Sequence, residues 1–114
     1  RGKPNVYPEY WDIPGGSVED LETPGEALIR EVKEEVNLDV EVKQIIHEDS
    51  NFDKGKNTMF TRLVYICTLK NTSDYIIQLD PEEHSEYRLI SSLDEMSDEK
   101  VVPFLIDILS NKNL

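Results

Sequence analysis

The chain has 114 residues, a length that suits one domain able to bury roughly two thirds of the surface its unfolded form exposes. Hydrophobic residues make up 38% and charged ones 32%, a globular balance rather than a disordered one, and the formal net charge is −12. A surface so negative repels nucleic-acid backbones and anionic leaflets, so neither nucleic acid nor membrane is an expected partner; a phosphate-bearing substrate would need cations between it and the protein. The single cysteine, Cys67, excludes an internal disulfide and a thiolate metal cluster, and its apolar run "RLVYICTL" reads as a core thiol. No apolar stretch approaches the ~18 residues of a membrane span and no signal peptide is present, so a cytoplasmic protein is expected. The opening on Arg1 without a methionine implies that the native chain starts earlier.

Residues 1–16 hold three of the six prolines and three of the five glycines. They predict a loop, a short extended segment at Tyr10–Ile13 and a tight turn at Pro14-Gly15-Gly16. Thr23-Pro24-Gly25-Glu26 is a strong helix start: threonine at the N-cap, proline at N1, and Glu26 closing a capping box. The helix should reach about Val36, with Asn37 as the left-handed residue that ends it. In "LDVEVKQII" Leu38, Val40 and Val42 alternate against Asp39, Glu41 and Lys43, the pattern of a half-buried strand. Asp49 to Asn57 reads as a polar loop, and Thr58–Leu69 as the strongest strand. Short strands are expected at Tyr75–Leu79 and Tyr87–Ile90. A closing helix has Pro103 in its first turn and Val101, Val102, Leu105, Ile106, Ile108 and Leu109 on its apolar side. There are no repeats or linkers, and one α+β domain over residues 1–114 is the expectation.

The stretch "REVKEEV" puts Glu31 and Glu35 at i,i+4, a like-charge pair that disfavours a helix by a few tenths of a kcal/mol. At 100° per residue, Glu31, Glu34 and Glu35 share an arc of roughly 100° that borders the apolar stripe of Leu28, Ile29, Val32 and Val36. Acids of a merely solvated face would lie opposite that stripe. Hard carboxylate oxygens so crowded suit Mg²⁺ or Mn²⁺, which would offset the repulsion and keep positions open for phosphate. Ala27 leaves space among the acids, and Arg30 can pair with Glu34 one turn on.

The spacing Gly16, five residues, Glu22, seven residues, then Arg30-Glu31-Val32-Lys33-Glu34-Glu35-Val36-Asn37-Leu38 closely resembles the box of the Nudix hydrolases. Eight of nine fixed positions match; the departure is Asn37, where the family usually has glycine. Asparagine tolerates the left-handed conformation, so the cap should survive and Asn37→Gly should be nearly neutral. "YWDIPGG" is similar to the family's lead-in, and "LDPEEHSEYRLISSLDEM" to its later acidic loop, strand and turn. The implied fold is an α/β/α sandwich around a mixed β-sheet, with the family's N-terminal strand missing before Arg1.

The resemblance implies Mg²⁺- or Mn²⁺-dependent hydrolysis of a nucleoside diphosphate linked to another group, by attack of metal-activated water on phosphorus. By position, Glu31, Glu34 and Glu35 would carry the metals, with Glu31 or a bound hydroxide near the base role and the Gly15 carbonyl as a further ligand. Arg30 would orient the box carboxylates, and Glu22 would tie the loop to the helix. Glu83 is a weaker candidate ligand and Glu82 a candidate on the substrate side; a solvated loop after Pro81 accounts for both about as well. Arg1 falls where some relatives keep a phosphate-binding arginine. His84 reads as a surface histidine, Tyr10 and Trp11 as packing under the turn, and His47 carries no signal. The family's markers for ADP-ribose and diadenosine polyphosphates would fall near Asp53–Gly55, and neither is there. A nucleoside triphosphate, including an oxidised one, is left by default, with a small-molecule nucleotide as the partner and a homodimer left open. Two alternatives stand beside this: a catalytically inactive Nudix-fold nucleotide-binding or regulatory module, and a metal-free acidic interaction domain.

Overall fold

A computed structural model describes residues 10–71, 75–81 and 86–110. The first helix, α1, spans Pro24–Val36. Its start is set locally. The Thr23 hydroxyl accepts the Glu26 N–H at 3.1 Å, and the Glu26 carboxylate accepts the Thr23 N–H at 2.8 Å. Its end is set by Asn37, which takes up φ 62° and ψ 36° and donates its N–H to the Lys33 carbonyl at 3.1 Å. Val32 and Val36 are buried with Val40, while Leu28, Leu38, Cys67, Leu69, Ile77 and Leu79 pack around them. Ile29, expected in the apolar stripe, is exposed. Burial pushes the Cys67 thiol above its usual range, as a thiol beside this core should be.

Two antiparallel strands follow, β1 at Val40–Asp53 and β2 at Thr58–Leu69. The strand β1 runs well past the apolar alternation: Asp49 to Asp53, expected in a loop, pair with Thr58 to Arg62, and the turn holds only residues 54–57. Two register shifts, between Val42 and Gln44 and between Ile45 and His47, insert extra residues into β1 and reverse its alternation each time. In β2 the alternation is unbroken. Cys67 and Leu69 therefore face α1, and Arg62 and Val64 face the other way.

The second helix, α2 at Pro103–Leu109, lies against that other face, where the Phe104 ring meets Arg62 and His47. A helix thus touches each face of the hairpin. Val101, Val102 and Leu105 join Met96 in a second buried cluster, whereas Ile106 and Leu109 are exposed. A 3-10 helix at Leu93–Met96 precedes it. Trp11 packs into this second cluster rather than under the glycine turn, and forms a single parallel bridge with Val101. Its indole N–H donates to Glu99 at 2.8 Å, and Arg88 lies over its ring. Neither Tyr75–Leu79 nor Tyr87–Ile90 forms a strand. The first and the residue after it turn to α1 instead: the Gln78 N–H donates to the Val36 carbonyl at 3.0 Å and the Asp80 N–H to the Glu35 carbonyl at 3.1 Å. Among the described residues, no helix is long and apolar enough to cross a membrane.

Candidate active site

The site is organised around one guanidinium. Arg30 has five N–H donors, and five bonds leave it. Its Nε and Nη2 grip both oxygens of Glu22 at 3.1 and 2.8 Å. The remaining Nη2 proton reaches the Ser17 carbonyl at 3.1 Å, and Nη1 donates to Glu31 at 2.7 Å and Glu34 at 3.2 Å. Glu19 stands near Nε at 3.7 Å and donates its own N–H to Glu22 at 2.8 Å. One fork therefore ties Ser17 and Glu22 of the loop before α1 to Glu31 and Glu34 on the helix. Arg30 holds the Glu22 carboxyl below the ordinary value of 4.5, with help from the Glu19 N–H. Reciprocally, the Glu22 and Glu31 carboxylates push the guanidinium pKa upward.

The glycine turn touches the same group from the other side. A Cβ built on Gly16 would lie 2.4 Å from the Glu31 carboxyl carbon and 2.5 Å from one of its oxygens. Only glycine leaves that carboxylate its place. Gly15 was expected to offer its carbonyl; its observed contact is the N–H, which donates to Glu35 at 3.2 Å. Glu35 is the one buried charged residue among the described residues, at 4% exposure, so it lies inside the apolar side of α1 rather than at its margin. Burial of the three acids is graded: Glu31 retains 18% side-chain exposure and Glu34 57%. Beside Glu34 an open cleft of about 300 Å³ runs between the last turn of α1 and residues 78–81, with Lys33, Asn37, Gln78 and Asp80 on its walls.

Of the expected site residues, the structure brings Glu22, Arg30, Glu31 and Glu34 together and sets Glu35 against Gly15. Arg1, Glu82, Glu83 and His84 lie outside the described residues. Among the described residues, no three His, Cys, Asp or Glu side chains converge as metal ligands, because Glu31 and Glu34 turn toward Arg30. The chemistry of the set nonetheless fits a hard divalent cation. It offers carboxylate oxygens on one helical arc, a largely exposed Glu34, and a turn without side chains beside Glu31. Sequence reasoning missed the Ser17 carbonyl, Glu19 and Asp80; only Glu19 carried a signal, as an acid three residues before Glu22.

The sequence matches a family model described as the NUDIX domain over residues 2–111. The chain belongs to the Nudix family. An RNA pyrophosphohydrolase of Nitratiruptor sp. is 30% identical over 98 residues, covering 85% of this chain and 61% of that protein. The diphosphoinositol polyphosphate phosphohydrolase 3-beta of Bos taurus is 33% identical over 63 residues, 55% of this chain and 37% of its own length. An 8-oxo-dGTP diphosphatase of Proteus vulgaris is 55% identical over 31 residues, 27% of this chain and 28% of that protein. The chain spans less than two thirds of each of these relatives. Nudix hydrolases generally use a divalent metal, and the carboxylate arc of α1 is the part of this Nudix chain whose chemistry suits one.

Proposed function

We propose that this Nudix chain, as one domain over residues 1–114, is a Mg²⁺- or Mn²⁺-dependent pyrophosphohydrolase of a nucleoside diphosphate linked to another group. Water attacks one phosphorus, the P–O anhydride bond breaks, and the other phosphate leaves with the bridging oxygen. The observation that carries this reading is the fully engaged Arg30 fork, which gathers Glu22, Glu31 and Glu34 beside a turn that has room only for glycine. Names of relatives from three substrate classes, all diphosphatases or phosphohydrolases, support the reaction type.

In this proposal Glu31, Glu34 and Glu35 hold the cation. When bound, it supplies Lewis acidity to phosphate oxygens and lowers the pKa of water. Arg30 orients Glu31 and Glu34 and keeps Glu22 ionised, so the loop stays closed on the helix. The Gly15 N–H fixes one oxygen of Glu35. Glu31 takes the proton of the attacking water. A nucleoside triphosphate, oxidised or not, is the preferred substrate, because a net charge of −12 opposes approach of a long polyanion such as RNA. A single cysteine and the absence of an apolar span among the described helices support a cytoplasmic setting.

A panel of nucleoside triphosphates, oxidised dGTP, 5′-triphosphorylated RNA and an inositol pyrophosphate, incubated with Mg²⁺ and followed by product identification, tests this. Release of a nucleoside monophosphate and pyrophosphate, lost in Glu34→Gln and Glu35→Gln, is expected. No turnover on any member of the panel, or near-normal turnover in both variants, contradicts it.

A further inference from the structure

The residue that departs from the box also makes a contact that glycine could not. Asn37 donates its side-chain Nδ2–H to the Ile76 carbonyl at 2.9 Å, 39 positions further along the chain. Next to that bond, the Gln78 and Asp80 amides close on the Val36 and Glu35 carbonyls. The last carbonyls of a helix have no partner within it, and a helix end without partners frays first. Here two amides of residues 78–80 take carbonyls of the final turn of α1, and the Asn37 side chain adds a further bond between the helix end and the same segment. Glu35 is the next-to-last residue of that turn. Its carbonyl takes the Asp80 amide while its carboxylate takes the Gly15 amide. Glu31 sits a full turn deeper and is held by Arg30.

We propose that Asn37 is a positioning residue that fastens residues 76–80 onto the end of the box helix and thereby keeps the Glu35 carboxylate set for metal. The metal role of Glu35 rests on the function proposed above; the tether does not. Asparagine does two jobs at this position. Its backbone adopts the left-handed cap that glycine would also adopt, and its amide supplies the donor that glycine lacks. This revises the expectation that Asn37→Gly is nearly neutral.

Two variants remove the donor and leave the cap in place. Asn37→Gly keeps the left-handed cap and removes the donor; Asn37→Asp keeps nearly the same shape and replaces the donor with an acceptor. Amide hydrogen exchange in the whole chain should show protection of Gln78 and Asp80 falling by about fivefold or more in both variants, as expected for loss of one hydrogen bond. The β1 and β2 amides should be unchanged. Mn²⁺ titration by calorimetry should show Kd rising several-fold in Asn37→Gly. Unchanged protection at Gln78 and Asp80, a loss spread evenly over the whole chain, or an unchanged Mn²⁺ Kd in Asn37→Gly overturns the proposal. Absence of turnover in the natural sequence would count against the hydrolase reading alone, since exchange and metal binding judge Asn37 without it.

Discussion

Among the described residues two arginines, Arg30 and Arg62, hold carboxylates, and they differ in almost everything else. Arg30 uses all five donors, grips Glu22 with two of them, and keeps 24% of its side chain exposed. Arg62 on β2 reaches a single carboxylate, Asp49, at 3.4 Å and lies over the Phe104 ring at 3.9 Å from its centre. His47 completes that second group, 2.6 Å from Asp49 and stacked against the same ring. The Arg62 group joins one face of the hairpin to α2 and collects no surplus of acid. The Arg30 group collects four acidic residues around one cation, and its spare negative charge points at a glycine turn. An ion pair that docks an element balances its charges, whereas a site leaves charge over for a ligand.

The same substitution at the two positions should expose that contrast. Lysine keeps the charge and loses the planar fork. Arg30→Lys cannot hold Glu22, Glu31, Glu34 and Ser17 at once, and turnover should fall by about 10- to 100-fold, the usual effect of losing a group that orients ligands. Arg62→Lys should leave turnover alone and lower Tm by at most a few degrees, since an exposed cation–π contact contributes about 0.5–1 kcal/mol. Steady-state kinetics and melts of both variants check this; equal losses of turnover would erase the distinction.

Next in size is Gly16→Ala. The added methyl meets the far end of the Glu31 side chain rather than backbone, so the fold should tolerate it while the carboxylate moves aside. Turnover should drop by about tenfold, as for a displaced catalytic group, with Tm nearly unchanged. A melting loss as large as the activity loss would show that the contact is structural.

The smallest expected effect is on pH dependence. Because Arg30 lowers the Glu22 pKa in the folded state, this contribution to stability is complete above the ordinary value of 4.5. It is lost as pH falls through the lower folded value. Arg30 stays charged throughout. The Tm of the natural sequence should therefore fall more steeply below that pH than the Tm of Glu22→Gln, and parallel curves would remove the Arg30–Glu22 clamp from the account.

How much of this was legible in the sequence depended on distance along the chain. Both ends of α1 were readable because capping is local: Thr23 speaks to Glu26 three residues on, and Asn37 to Lys33 four residues back. The end of β1 was not. Asp49, Ser50 and Asn51 pair at the outer part of a two-stranded ladder and are wholly or partly exposed, so burial imposed no alternation there. The two extra residues in β1 also hid which face His47 would take. Tyr75–Leu79 has strand-like composition, yet its Gln78 amide goes to a helix end that no local pattern announces. In the site, the box spacing named Glu22, Arg30, Glu31, Glu34 and Glu35. The Ser17 carbonyl, the Gly15 amide and the Asn37–Ile76 bond depend on the path of loops, which spacing does not encode.

In the proposed function the carboxylates of α1 hold a divalent cation. Thermal melts in Mn²⁺, Mg²⁺ and K⁺ at matched ionic strength test it most directly, on the natural sequence and on a triple variant with Glu31, Glu34 and Glu35 all changed to glutamine. Binding to the folded state alone adds about 2.7 kcal/mol at a hundredfold excess over Kd. For a chain of this size that corresponds to a Tm rise of about ten degrees. This rise is expected with Mn²⁺ or Mg²⁺, not with K⁺, and should nearly disappear in the triple variant. A triple variant that keeps the full rise would place the cation elsewhere on the acidic surface and contradict the account.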